Sequence, residues 1–199
     1  MKRDVDQLAN ALFDHGCVQL GSFTLKSGLT SPIYIDLRLL VSHPKLLGQV
    51  AAMLASVARD LTFARIAAIP YAALPIGTAL ALEMDRPMIY PRWEVKGHGT
   101  RRAIEGAFSA GEIALLLDDL ITRGHSKLAA IEALEAAGLV VRDVLVLIDR
   151  EQGGEDDLAT KGYRLHAALK LTHLLAALRT SDRMSPEEHE AILAYLEQT

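Results

Sequence analysis

Two adjacent acids, Asp118 and Asp119, close an apolar run that begins at Ile113, and the turn Thr122-Arg123-Gly124-His125-Ser126 follows at once. Residues 127–137 then favour helix. This order reads as strand, acidic tip, tight turn and helix N-terminus. The unpaired N–H groups of a helix start, with Thr and Ser beside them, suit a phosphate. Two carboxylates at the same tip suit the vicinal hydroxyls of a sugar, directly or beside a metal ion. A ligand carrying both a phosphate and a ribose would satisfy both halves. Each half alone has an ordinary explanation, since buried parallel strands often end in Asp and Thr or Ser often caps a helix. Adjacent acids repel unless a cation or metal lies near, and that argues for function.

A second constellation lies in residues 91–102, where Arg92, Lys96, His98, Arg101 and Arg102 surround Gly97 and Gly99. The glycines disfavour a regular helix or strand, so the segment reads as a mobile loop or hairpin. By itself it fits a solvated charged tip. Beside an acidic, phosphate-ready tip it fits a flap that shuts an anionic substrate away from water. A pyrophosphate leaving group would need such cations on its oxygens.

These residues need a scaffold. Asp4 to His15 has Val5, Leu8 and Leu12 at helical spacing. Val18–Leu25 and Ile33–Leu37 read as strands around a Lys26–Pro32 turn, and Pro44 opens a helix through Asp60. Short apolar strands follow at Ile66–Ile69, Pro87–Tyr90, Ile113–Leu117 and Val144–Ile148, with helices at Pro75–Glu83 and Lys127–Ala137. Alternating strand and helix predict an α/β fold with a central, mostly parallel sheet flanked by helices. Ligands in such sheets gather at the C-terminal strand ends, where the acidic tip, Pro70-Tyr71 and Asp149-Arg150 all fall. Gly138 is placed to cap the second helix. After Arg179 a polar stretch leads to a last helix, with Ser185, Pro186 and Glu188 forming its capping box.

The chain has 199 residues, half of them hydrophobic, which suits one domain with a full core. A net charge of −4 gives no global field for nucleic acid. The single cysteine, Cys17, excludes an internal disulfide and fits a reducing compartment. No signal peptide or membrane-length apolar run is evident, so a cytoplasmic protein with no membrane partner is expected. His15, His43, His166, His173 and His189 lack metal-site spacing.

The motifs together resemble the orotate phosphoribosyltransferase family, including the transferase part of uridine monophosphate synthases. The resemblance is carried by Phe23-Thr-Leu-Lys26-Ser-Gly28, Ser31-Pro-Ile-Tyr34-Ile35-Asp36-Leu-Arg38 and Ile69-Pro-Tyr71-Ala-Ala-Leu-Pro75. It continues in Arg92-Trp-Glu-Val-Lys96-Gly-His98-Gly99, Asp118-Asp119-Leu-Ile-Thr122-Arg-Gly124 and Asp149-Arg150-Glu-Gln-Gly-Gly154, in family order over about residues 10 to 175. The acid-acid-turn motif marks the type I phosphoribosyltransferase superfamily. Lys26-Ser-Gly, Lys-Gly-His-Gly and Asp-Arg-Glu-Gln-Gly-Gly mark the orotate branch.

The resemblance implies a type I phosphoribosyltransferase fold over residues 1–179. An N-terminal hood would occupy 1–40, a mobile β-hairpin flap 92–108 and a C-terminal helical extension 180–199. It implies that phosphoribosyl pyrophosphate and orotate give orotidine monophosphate and pyrophosphate in pyrimidine biosynthesis, with Mg2+ on the pyrophosphate and ribose near Asp118 and Asp119. Asp118 and Asp119 would hold the ribose hydroxyls, and Thr122, Arg123, Gly124, His125 and Ser126 the 5-phosphate. Lys26, Tyr34, Thr122 and Arg150 would surround orotate, Arg92 would contact the pyrophosphate, and Ile35 and Tyr71 would be among the substrate-binding residues. Lys96 and His98 would close over the neighbouring subunit's site, making a homodimer with shared active sites. An Arg fork matches the orotate carboxylate, and Lys96 would offset charge on the departing oxygens.

Three positions, Trp93, Arg123 and His125, depart from the family, and a fourth, Ala72, differs from many bacterial members but not from the fused enzymes. Trp93 replaces a Lys, Arg123 and His125 replace small residues, and Ala72 stands where many bacterial members have Lys. Arg123 could replace the cation lost at Trp93. Two other readings stay open on the sequence: a phosphoribosyltransferase for another base, and a non-catalytic regulator that binds phosphoribosyl pyrophosphate. A surface ion pair is the ordinary role for Arg150 beside Asp149.

Overall fold

The computed structural model describes residues 2–24, 28, 30–92 and 103–196. The chain opens with α1 (Lys2–Asp14), whose Leu8 and Leu12 are buried at helical spacing. An antiparallel ribbon follows, β1 (Val18–Thr24) against β2 (Thr30–Ile35). The second strand stops before Leu37 because Asp36 takes over: its carboxylate accepts the Arg38 N–H at 3.1 Å and starts a 3-10 turn, Leu37–Ser42. Pro44 then opens α2 (Pro44–Ala58) in the first turn, where its missing N–H costs nothing.

The main sheet takes up the rest. In chain order its elements are β3 (Arg65–Ala68), α3 (Ala73–Met84), β4 (Met88–Pro91), β5 (Ile104–Glu105), β6 (Ile113–Ile121), α4 (His125–Ala136), β7 (Val140–Asp149), α5 (Gly154–Ala159), β8 (Arg164–Lys170), α6 (Leu171–Thr180) and α7 (Pro186–Leu196). The strand order is β5-β4-β3-β6-β7-β8. All pairings are parallel except that of β5 with β4.

Strand alternation sorts the apolar residues onto two faces. Leu115, Leu117, Leu145 and Leu147 join α1, α2, α3 and α6 in one cluster. Ala114, Leu116, Val144 and Val146 meet Ala130, Ile131 and Leu134 of α4 in the other. Both faces are dry, which is why these strands read as continuous apolar runs.

Two features differ from the sequence reading. The acids do not end their strand: β6 runs on to Ile121, pairing Asp118 with Val146 and Ile121 with Asp149. Residues 154–180, where no regular elements were expected, form α5, β8 and α6. β8 is only partly buried, so its apolar pattern is diluted by Arg164, His166 and Lys170. At its start Arg164 and His166 both reach the buried Asp143 at 2.8–2.9 Å, so His166 serves an ion-pair cluster.

The expected C-terminal signals are realised. Gly138, at φ +90°, follows α4, and its N–H and that of Leu139 donate to Glu135 and Leu134 carbonyls. The capping box of α7 is formed: the Glu188 N–H donates to Ser185 Oγ at 3.1 Å and the Ser185 N–H to Glu188 Oε2 at 2.8 Å. No helix among the described residues is long and apolar enough to cross a membrane.

Candidate active site

The register of the sheet brings three strand ends together. Ala68 is opposite Leu117, and Ile121 is opposite Asp149. Beyond those pairs the Ile69 N–H donates to the Leu117 carbonyl and the Arg150 N–H to the Ile121 carbonyl, both at 2.9 Å. Pro70-Tyr71, the Asp118-Asp119 tip and Arg150 therefore share one edge of the sheet. The Pro70–Tyr71 peptide is cis, and Tyr71 is 78% exposed.

The two acids occupy unlike environments. Asp118 has the strand parity of Ala114 and Leu116, so it faces α4. There its Oδ2 meets the Lys127 ammonium at 2.6 Å, with the residues only 6% and 4% exposed. The same ammonium donates to the Leu120 carbonyl at 2.5 Å. Asp119 is half-buried and receives the Leu120 N–H at 2.8 Å. Burial and the neighbouring Asp118 carboxylate push the Asp119 carboxyl up to about 7. An added cation, or hydroxyl donors from a ligand, would relieve that cost.

The turn after β6 leads straight into α4, whose first-turn N–H groups lack intrahelical partners. His125 and Ser126 are exposed there and Thr122 is half-buried. The Gly124 N–H is already committed, donating to Asp157 Oδ2 of α5 at 3.0 Å. Arg123 turns its guanidinium toward the loop after β7, for a Cβ on Gly153 would lie 2.4 Å from Arg123 Nη1. Gly154 is needed beneath the turn: a Cβ there would stand 2.5 Å from Ile121 Cγ1 and 3.2 Å from the Thr122 carbonyl oxygen. The Gly-Gly pair thus lets the Asp149–Gly154 loop close on the turn.

Arg150 makes no ion pair with Asp149. Asp149 is buried, raised by desolvation above the usual carboxylate range, and its Oδ1 accepts the Glu151 N–H at 2.9 Å. Among the described residues the Arg150 Nε is buried without a hydrogen-bond partner, and desolvation lowers the guanidinium below its ordinary value. On this half-buried side chain the one buried, unmet donor is costly unless an anion comes to it. On β2, Tyr34 stacks on Phe23 with ring centroids 5.4 Å apart, and its hydroxyl accepts from Arg38 Nη2 at 3.1 Å. Ile35 is half-buried at the end of that strand.

Arg92 leaves β4 at the root of an antiparallel pair. Its N–H donates to the Ala103 carbonyl at 2.8 Å and its Nη1 to Glu105 Oε1 at 3.0 Å. Lys26, Lys96, His98 and Trp93 lie outside the described residues.

Two participants were not legible in the sequence. Lys127 looked like an ordinary helix lysine, and only the crossing of α4 over β6 makes it the partner of Asp118. Asp157 stands 33 residues from Gly124 and meets it only through the packing of α5. Charged residues on otherwise apolar helix faces were the one available hint.

No family model matches the chain. It is 43% identical over 183 residues to the bifunctional enzyme PyrF/PyrE of Nostoc sp., covering 92% of this chain and 38% of that one. The chain thus spans well under half of that relative's length. It is 36% identical over 187 residues to an orotate phosphoribosyltransferase of Caenorhabditis elegans, covering 93% of this chain and 82% of the relative. Among solved structures, UMP synthase of Leishmania donovani superposes with a TM-score of 0.90 and 44% identity, over 98% of this chain and 42% of that one. An orotate phosphoribosyltransferase of Mycobacterium tuberculosis, solved with 5-phospho-α-D-ribosyl 1-diphosphate, gives a TM-score of 0.71 and 25% identity over 86% of this chain and 98% of its own. With this site at the strand ends and full-length relatives above 30% identity, the chain belongs to the orotate phosphoribosyltransferase family.

Proposed function

We propose that this chain transfers the 5-phosphoribosyl group of phosphoribosyl pyrophosphate to orotate, giving orotidine 5'-monophosphate and pyrophosphate in pyrimidine biosynthesis. One arrangement carries the reading. A desolvated guanidinium with an unmet donor, Arg150, stands one strand away from a carboxylate tip that runs into a helix N-terminus. A planar carboxylate suits the first, a ribose the second and a phosphate the third. A neutral base would leave Arg150 unmet, which disfavours the reading with another base.

In this reading Arg150 and the β2 residues Tyr34 and Ile35 orient the base. Asp119, and Asp118 steadied by Lys127, hold the ribose hydroxyls. Thr122, Ser126 and the first-turn N–H groups of α4 hold the 5-phosphate. Arg92, beside Tyr71 at the neighbouring strand ends, faces the pyrophosphate. Lys96 and His98 belong to a flap over residues 92–108 that reaches the neighbouring subunit's site in a homodimer.

The carboxylate pair suits a hard cation such as Mg2+. Among the described residues no cluster of three or more His, Cys, Asp or Glu could hold one, so its remaining ligands would be pyrophosphate and ribose oxygens. Bound there, Mg2+ would supply Lewis acidity and a template for the leaving group. A cytoplasmic setting suits the single buried Cys17, whose thiol burial pushes up to about 11 and so makes inert.

The test follows orotate absorbance with phosphoribosyl pyrophosphate and Mg2+, with Lys96→Ala as control. Turnover is expected, with kcat falling ~10²–10³-fold in the variant. A folded parent without turnover would sink the proposal.

A further inference from the structure

Gly124 has an ordinary helical backbone, with φ −75° and ψ −10°, so the turn after β6 does not need glycine for its conformation. It needs glycine for room. A Cβ on Gly124 would stand 2.9 Å from the Cβ of Asp157, closer than two such carbons come. Through that gap Asp157 Oδ2 accepts the Gly124 N–H at 3.0 Å. Asp157 is itself fixed on α5: its N–H donates to the Gly153 carbonyl at 3.0 Å, and its carbonyl accepts from Thr160 Oγ1 at 2.9 Å. With its leading glycine, α5 meets the turn at each residue from Thr122 to Gly124. Gly154 lies against the Thr122 carbonyl and Gly153 beside the Arg123 guanidinium.

We infer that Asp157 is a positioning residue for the phosphate turn, holding Gly124 inward so that the N–H groups after it stand ready for the 5-phosphate of a phosphoribosyl ligand; this rests on the phosphoribosyl transfer proposed above. Free N–H groups at a helix start bind an anion well only when their directions are set before it arrives. Gly124, the N-cap of α4, has no side chain with which to set them. The Asp157 carboxylate supplies that anchor from 33 residues away, and an ionised acceptor holds an N–H more strongly than a neutral one. Gly124 is buried and Asp157 half-buried, whereas His125 and Ser126 are exposed. The carboxylate therefore grips the turn at its inward residue and leaves the outward ones to a ligand. The loop that begins at Arg150 runs directly into α5. One stretch, residues 150–157, thus serves base recognition at one end and phosphate positioning at the other. The ligand class follows from the turn: a sugar phosphomonoester, seated by its phosphate.

The test measures the Kd of phosphoribosyl pyrophosphate with Mg2+ by calorimetry, the KM for orotate at saturating phosphoribosyl pyrophosphate, and thermal unfolding. It compares the full chain with Asp157→Ala and Asp157→Asn. Asp157→Ala is expected to raise the phosphoribosyl pyrophosphate Kd ~10-fold while the orotate KM stays within about twofold. Asp157→Asn, whose amide oxygen still accepts the Gly124 N–H, is expected to raise that Kd by only about threefold. An unchanged Kd in Asp157→Ala overturns the inference. So does a lowered Kd, the mark of a carboxylate that competes with the phosphate. So does an equal rise in Kd and orotate KM with a lowered Tm, the mark of a merely structural role. If Asp157→Ala does not fold, Asp157→Asn decides by the same comparison. A parent that binds phosphoribosyl pyrophosphate but turns over no orotate overturns the activity reading alone, and the Kd values still decide this inference. A parent that does not bind phosphoribosyl pyrophosphate overturns both.

Discussion

Replacing Lys127 by Met removes a cation from beside a carboxylate that has almost no water. Asp118 is 6% exposed and its Oδ2 sits 2.6 Å from the ammonium. After the change the Asp119 N–H, donating to Asp118 Oδ1 at 2.9 Å, is the hydrogen bond left to that carboxylate among the described residues. The Met side chain fills much of the lysine stem's volume, so the loss is electrostatic rather than a cavity. Breaking a buried ion pair by removing one partner costs about 3–5 kcal/mol. At about 2–4 °C per kcal/mol for a domain of this size, Tm should fall by roughly 6–20 °C. The assay is thermal unfolding of the parent, Lys127→Met and Lys127→Met with Asp118→Asn. The double variant should recover most of the loss, because an uncharged amide no longer needs a counter-ion. A fall of less than about 2 °C in the single variant would refute the reasoning. A double variant no more stable than the single would refute it equally.

Asp119→Asn should raise stability and abolish turnover. The Asp119 carboxyl is held up at about 7, so the folded state binds its proton more tightly than the unfolded chain. Stability is therefore lost as pH rises from about 4 to about 7, and the variant should melt a few degrees above the parent at pH 8 and level with it near pH 4. Gly154→Ala drives a methyl group into Ile121 and the Thr122 carbonyl, and unfolding curves should show about 1–3 kcal/mol of lost stability with a raised KM for phosphoribosyl pyrophosphate. Arg123→Ala should leave that KM within about threefold, since the guanidinium lies toward Gly153; a larger rise in steady-state assays would restore Arg123 to the pyrophosphate.

Much of the site was legible because its signals are local. An apolar run, two acids, Thr-x-Gly-x-Ser and a helix-forming segment are contiguous, so residue type and spacing alone predict a ligand edge. The capping box at Ser185 and Glu188, and Gly138 after α4, were legible for the same reason: a helix end is satisfied by residues within a turn of it. β8 was not, because an outer strand half open to solvent mixes Arg, His and Lys into its apolar pattern. The continuation of β6 through both acids was not either, because only a buried lysine from another element lets a carboxylate remain inside a sheet.

The sequence by itself determined the alternation of strand and helix, the edge of the sheet that carries the candidate site, and the residue types found there. Tertiary structure alone decided which of two neighbouring acids is neutralised, that Asp157 takes the Gly124 N–H, that Arg150 keeps an unmet donor instead of pairing with Asp149, and that α7 comes to rest on β2. The physical reason is range. Caps, turns and periodicity are settled within a few residues, whereas ion pairing and desolvation depend on which distant groups packing brings within about 3 Å.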